Sequence, residues 1–154
     1  MRLWHWALLP HLDNQRILGQ HRECCALRGN GWGKKHSTVD YVFDHSPITL
    51  VYYHWLVMGE MYERKMNPGP AWSEPLYRGK NCKKWVWLEA GKGLVRYPEH
   101  NHEYLLECLE NLREKGVLKE TREYYRIGNW KAFKKEELYE SSAGIGKSKW
   151  HQVY

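Results

Sequence analysis

The chain of 154 residues carries 24 Lys and Arg against 18 Asp and Glu, a formal charge of +6, and 42% of its residues are apolar. That length fits one compact domain spanning residues 1–154, and the positive balance suits a polyanionic partner without saying anything about fold. Four cysteines with no CxxC pair exclude a disulfide framework, and no run reaches the ~18 apolar residues of a membrane span.

From the N-terminus, "MRLWHWALLPHLDNQ" meets Pro10, His11 and Asp13 too early for a signal peptide, so a soluble, cytoplasmic protein is expected. Nine Trp and eleven Tyr stand beside two Phe. Most such rings fill a core, and the remainder suit stacking on nucleobases. A first helix is expected from about Leu12 to Arg28. At 100° per residue Ile17, Leu18, His21, Cys24 and Cys25 gather on its core side, and Arg16, Gly19, Glu23 and Ala26 face outward. Small neighbours at Gly19 and Ala26 leave room to approach the Glu23 carboxylate.

The loop "RGNGWGKKH", Arg28 to His36, combines three glycines with Arg28, Lys34, Lys35 and His36 around Trp32. It suits a phosphate backbone as well as it suits a solvated turn. A second helix starts after Ser46-Pro47 and runs to about Met66, apolar nearly all round and therefore central, until "NPGP" stops it. Residues Ala71 to Pro98 read as a long basic connection with a short strand at Trp85 to Leu88. A third helix lies in "EHNHEYLLECLENLREKG", with Leu105, Cys108, Leu109 and Leu112 as its stripe and Gly116 as its C-cap. The tail from Thr121 is polar, basic and aromatic. The expected architecture is all-α, a compact single domain of about three main helices with long basic loops.

Three strings mislead. "SSAGIGKS" ends like a phosphate-binding loop, but Ser141 stands where the first glycine belongs. "HNH" at His100 to His102 lies in one helix start without separated ligands, and His21 with Cys24 is two residues on a core-facing stripe. No metal and no organic cofactor are expected.

"NQRILGQHRECCALR" carries a glutamine at the helix start, Gln15, and an Arg-Glu pair seven residues later, Arg22-Glu23. In this it resembles the pyrimidine-dimer DNA glycosylase (endonuclease V-like) family. The opening "MRLW" and the block "LGQHRECCALRGNGWGKKHSTVDYVF" look closer still to a bacterial branch of that family, and "HNHEYLLECLENLREKGV" is similar to its later helix. The resemblance implies a DNA repair enzyme, an N-glycosylase with abasic-site lyase activity, that attacks the deoxyribose C1′ with its N-terminal amine, assisted by a helix-one glutamate. Arg2 is a large residue that leaves Met1 in place, so the implied catalytic groups are the Met1 amine and Glu23. An α-amine titrates near 7.7 to 8.0, which makes it a ready nucleophile at neutral pH. By the same resemblance Arg2, Gln15, Arg16 and Arg22 contact DNA, joined by Arg28, Trp32, Lys34 and Lys35 from the loop.

The implied partner is double-stranded DNA carrying damaged or abasic sites, bound by a monomer that is nucleoid-associated when on DNA. Trp32, Trp130 and Trp150 are the expected stacking residues. Two other readings stay open: a non-catalytic nucleic-acid-binding domain on the same scaffold, and an enzyme that uses the same amine on another glycosidic or aldehyde substrate. Blocking the N-terminus separates the first from the enzyme, since binding survives and activity does not.

Overall fold

A computed structural model describes residues 2–35, 38–87 and 93–117, and these are helical with turns and no strand among them. The three main helices are α1 (Asn14–Arg28), α2 (Pro47–Glu63) and α3 (His102–Glu114), with short 3-10 turns at Trp6–His11, Asp40–Asp44 and Pro70–Ser73. No described helix is long and apolar enough to cross a membrane.

Each helix boundary has a local cause. Asp13 sits extended before α1 and its carboxylate accepts from Arg16 at 3.1 Å, placing negative charge where the first amides point. The helix therefore starts at Asn14, two residues later than its periodicity suggested, because Leu12 closes the preceding 3-10 turn. Ser46 caps α2 ahead of Pro47, as expected. That helix ends at Glu63, short of Met66, where Lys65 turns left-handed at φ 62° and the Met66 amide donates to the Met61 carbonyl at 2.8 Å. Asn101 caps α3 through the Tyr104 amide at 2.9 Å, and the helix closes at Lys115 with Gly116 next at φ +70°.

The stripe of α3 is buried as expected: Leu105, Cys108, Leu109 and Leu112 meet Leu3, Leu8, Ile17, Leu50, Tyr53 and Met61 in one cluster. The α1–α2 contact is the most extensive between elements. Ile48, Val51 and Trp85 form a smaller cluster, and the half-buried Trp32 packs against both. Trp85 donates its amide to the Leu76 carbonyl at 3.0 Å, one isolated bond in place of the expected strand, and Leu88 lies outside the described residues.

The facing of α1 differs from the expectation. Its buried residues are Ile17, Gln20, Glu23, Cys24, Leu27 and Arg28, while Leu18 and Cys25 are half-buried. Glu23 is 9% exposed and lies on the inward side, not the open one. The N-terminal segment crosses this face and satisfies Gln20 with its main chain.

Candidate functional site

Chain termini usually fray, because few contacts repay the entropy of ordering them. Here Leu3, Trp4 and His5 are buried, and side chains from α1, α2 and the start of α3 hold their main chain. Gln20 acts as a substitute strand: its Nε2 donates to the Arg2 carbonyl at 2.8 Å and its Oε1 accepts the Trp4 amide at 3.1 Å. The Tyr53 hydroxyl lies 2.7 Å from both the Trp4 carbonyl and Gln20 Oε1, sharing one hydrogen between them. The Tyr104 hydroxyl donates to the Leu3 carbonyl, and the Trp6 amide donates to His100 Nδ1 at 3.3 Å.

That last bond fixes a tautomer. With Nδ1 accepting, His100 carries its hydrogen on Nε2 and donates it to the Tyr41 hydroxyl at 2.7 Å. Tyr104, whose ring stacks on His100 with centroids 5.1 Å apart, holds the Leu3 carbonyl beside this pair. His5 stacks on His100 with ring centroids 5.5 Å apart and accepts the Ala7 amide. Burial pushes His100 down to about 3 and His5 down to about 4, so both rings are neutral acceptors at pH 7.

Glu23 follows Gln20 by three residues, on the same inward side of α1. The carboxylate therefore belongs to the stretch of helix that grips the chain's first residues. Met1 lies outside the described residues. Arg2 pairs with Glu107 at 3.1 Å and lies over the Trp4 ring, with 21% of its side chain exposed. Gln15 and Arg22 are exposed on α1, and Lys34 and Lys35 are exposed beyond it. Arg16 spends one guanidinium nitrogen on Asp13.

Two of the expected DNA contacts are placed elsewhere. Arg28 is 0% exposed: its Nη2 donates to the carbonyls of Glu74 and Tyr77, both at 2.8 Å, and its Nη1 to that of Trp72 at 2.9 Å. It fastens residues 72–77 to the end of α1 and has no face left for phosphate. Trp32 is half-buried and makes T-shaped contacts with Phe43 and Trp85. The loop's glycines also serve packing. A Cβ at Gly31 would stand 2.7 Å from the Ala26 carbonyl and one at Gly29 3.0 Å from that of Arg78, so these glycines let the chain fold tightly over the helix end. His36, Trp130 and Trp150 lie outside the described residues.

His21, Cys25 and His54 bring one ligand atom each within 4.8 Å of one another, with Cys25 in the place that the sequence reading considered for Cys24. Arginine only donates, so Arg28 Nη1, 3.0 Å from His54 Nδ1, makes that nitrogen the acceptor. His54 then donates from Nε2 to His21 Nδ1 at 2.8 Å. Burial and the Arg28 charge hold His54 well below the usual histidine range, and burial pushes the Cys25 thiol up to about 11. In this arrangement the lone pairs of His54 Nδ1 and His21 Nδ1 are engaged in hydrogen bonds. The group is a hydrogen-bonded strut between α1, α2 and the segment after α2.

Gln20, Tyr53, Tyr104 and His100 were not legible as site residues. Gln20 alone left a trace, as a polar residue three after Ile17 and four before Cys24, in line with an apolar stripe. A sequence model of the pyrimidine dimer DNA glycosylase family matches residues 1–74, the stretch that contains Glu23, Gln20 and Arg22 together with α1 and α2. No curated protein and no solved structure gives a match.

Proposed function

We propose, from the match of residues 1–74 to the pyrimidine dimer DNA glycosylase family, that this chain is a DNA glycosylase and abasic-site lyase working through the Met1 amine and Glu23. The observation that supports the reading is the grip on residues 2–6: Gln20, Tyr53, Tyr104 and His100 saturate their main chain on the helix side that carries Glu23.

In the proposed reaction the unprotonated amine attacks C1′ of the damaged nucleotide, and the bond from C1′ to the base breaks as the base departs with a proton. The sugar ring opens to an imine. Loss of the C2′ proton then expels the 3′ phosphate, and water releases the amine. An amine titrating near pH 8 is unprotonated in about a tenth of molecules at pH 7, a useful fraction, and a carboxylate held close to it would stabilise the cationic sugar and imine and carry the C2′ proton. No metal or organic cofactor enters these steps.

Arg2, Arg22, Gln15, Lys34 and Lys35 are the proposed phosphate contacts, with Arg16 available once it releases Asp13. The substrate is duplex DNA with a damaged or abasic site, bent so that the reacting sugar leaves the stack, at a cost that damage lowers. The monomer suffices. Incubation with abasic or ultraviolet-damaged duplex and borohydride is expected to give a covalent adduct at the N-terminal residue. Glu23→Gln should trap or nick far more slowly. No adduct on either substrate, or undiminished nicking by the variant, overturns the catalytic assignment.

A further inference from the structure

The segment from Arg78 to Trp87, "RGKNCKKWVW", holds four basic residues and no acid, and it lies beyond the matched stretch. Its first half is fastened to the end of α1. Arg78 donates from Nε to the Arg28 carbonyl at 2.7 Å and from Nη2 to that of Gly29 at 3.0 Å, and Cys82 Sγ reaches Asn30 Oδ1 at 3.0 Å. Trp85 is buried beneath, its ring 5.5 Å from Trp32 and under the Arg78 guanidinium at 4.9 Å. Through these contacts the exposed Lys80 and Lys83 belong to the same rim as Lys34 and Lys35, and none of the four makes an ion pair among the described residues. Lys84 meets Glu74 at 3.2 Å with 65% of its side chain in solvent.

At the end of this braced arm Trp87 is 70% exposed, the most exposed large apolar side chain among the described residues. Water is a poor environment for an indole, and a rim of unpaired lysines repels other cations while drawing in polyanions. We infer that the Arg78–Trp87 arm is a second DNA contact, in which Lys80 and Lys83 hold phosphates and the Trp87 indole stacks on a base left without its neighbour at the lesion. An intact duplex offers no open base face at its side, so the indole gains only where stacking is already broken. Lysine contacts supply affinity for any duplex, and Trp87 supplies preference for the damaged one.

This inference rests on the DNA reading above but not on its chemistry, so the test uses binding alone. The full chain is titrated with an uncleavable duplex carrying one tetrahydrofuran abasic analogue, and with the intact duplex, over a range of salt. Trp87→Ala should lose about tenfold in affinity for the abasic duplex and little for the intact one, while Trp87→Phe keeps most of the preference. Lys80→Gln with Lys83→Gln should weaken both duplexes alike and lower the salt slope by about 1.8, the release expected for two phosphates. Unchanged discrimination by Trp87→Ala overturns the assignment. So does a Trp87→Ala defect confined to vesicles containing phosphatidylserine, which would give the surface to a membrane. Failure to trap an adduct with borohydride would remove the lyase reading and leave these binding results standing.

Discussion

Replacing Gln20 with methionine keeps the volume and the burial, and removes the hydrogen bonds that Gln20 makes to the chain's first residues. The amide makes contacts to the Arg2 carbonyl, the Trp4 amide and the Tyr53 hydroxyl. Of these partners, Tyr53 retains the Trp4 carbonyl, and the Arg2 carbonyl is only partly buried and finds water. The Trp4 amide is left orphaned in the interior, at about 1–3 kcal/mol. With the lost bond at Arg2, Gln20→Met should cost about 2–4 kcal/mol, within the 5–15 kcal/mol by which a domain of ordinary stability is folded. Urea titration reads that loss as a lower midpoint with an unchanged slope. The larger effect falls on chemistry, since a displacement near 1 Å of a reacting group costs on the order of a hundredfold in rate. Single-turnover borohydride trapping at saturating abasic duplex should slow by that order. Tyr53→Phe is the companion variant: it leaves Gln20 bonded to Arg2 and Trp4 but strands the Trp4 carbonyl, so its trapping rate should fall between those of the parent and Gln20→Met. A folded Gln20→Met protein that traps as fast as its parent would refute the claim that this amide positions the amine.

Arg28→Met leaves the carbonyls of Trp72, Glu74 and Tyr77 without their donor. It should lower stability by about 3–5 kcal/mol, as loss of a buried hydrogen-bonded charge does, and a loss under about 1 kcal/mol by denaturant titration would show that those carbonyls reach water. Acid should also destabilise the fold through His5 and His100, whose folded values sit near 4 and 3. Below pH 6.5 the unfolded chain binds protons that these buried rings refuse. Stability therefore rises with pH across this window and falls as acid is added, at about 1.4 kcal/mol per pH unit for each ring until its folded value is reached. Urea midpoints at pH 7, 6 and 5 measure the slope, and a flat profile would mean that the rings take up protons without unfolding.

The elements whose burial depends on apolar side chains were readable from sequence. The stripe at Leu105, Cys108, Leu109 and Leu112 returned as the buried side of α3, and Ser46-Pro47 opened α2 where the pair suggested. On α1 the periodic count failed because three of its six buried residues, Gln20, Glu23 and Arg28, are polar or charged. The partners given for Gln20 and Arg28 include main-chain groups at positions 2 and 4 and at 72, 74 and 77, whose proximity no local pattern encodes. Arg28 and the loop glycines looked like phosphate ligands for the same reason: a guanidinium beside glycines reads alike whether it faces water or closes a helix. Resemblance supplied the interest in Glu23, while its inward placement became visible only once the N-terminal segment lay across the helix.

The grip on residues 2–6 spans nearly the whole described chain, since Leu3 is held by Tyr104 and Trp6 by His100. These contacts close loops about a hundred residues long, and they form only after the rest of the domain has been made. Residues 2–6 are thus among the last to find their places. A half-folded chain leaves the main chain of Arg2, Leu3 and Trp4 without these partners. Under the proposed reaction, positioning of the amine would then belong to the completed molecule, and fragments or misfolded copies would lack it.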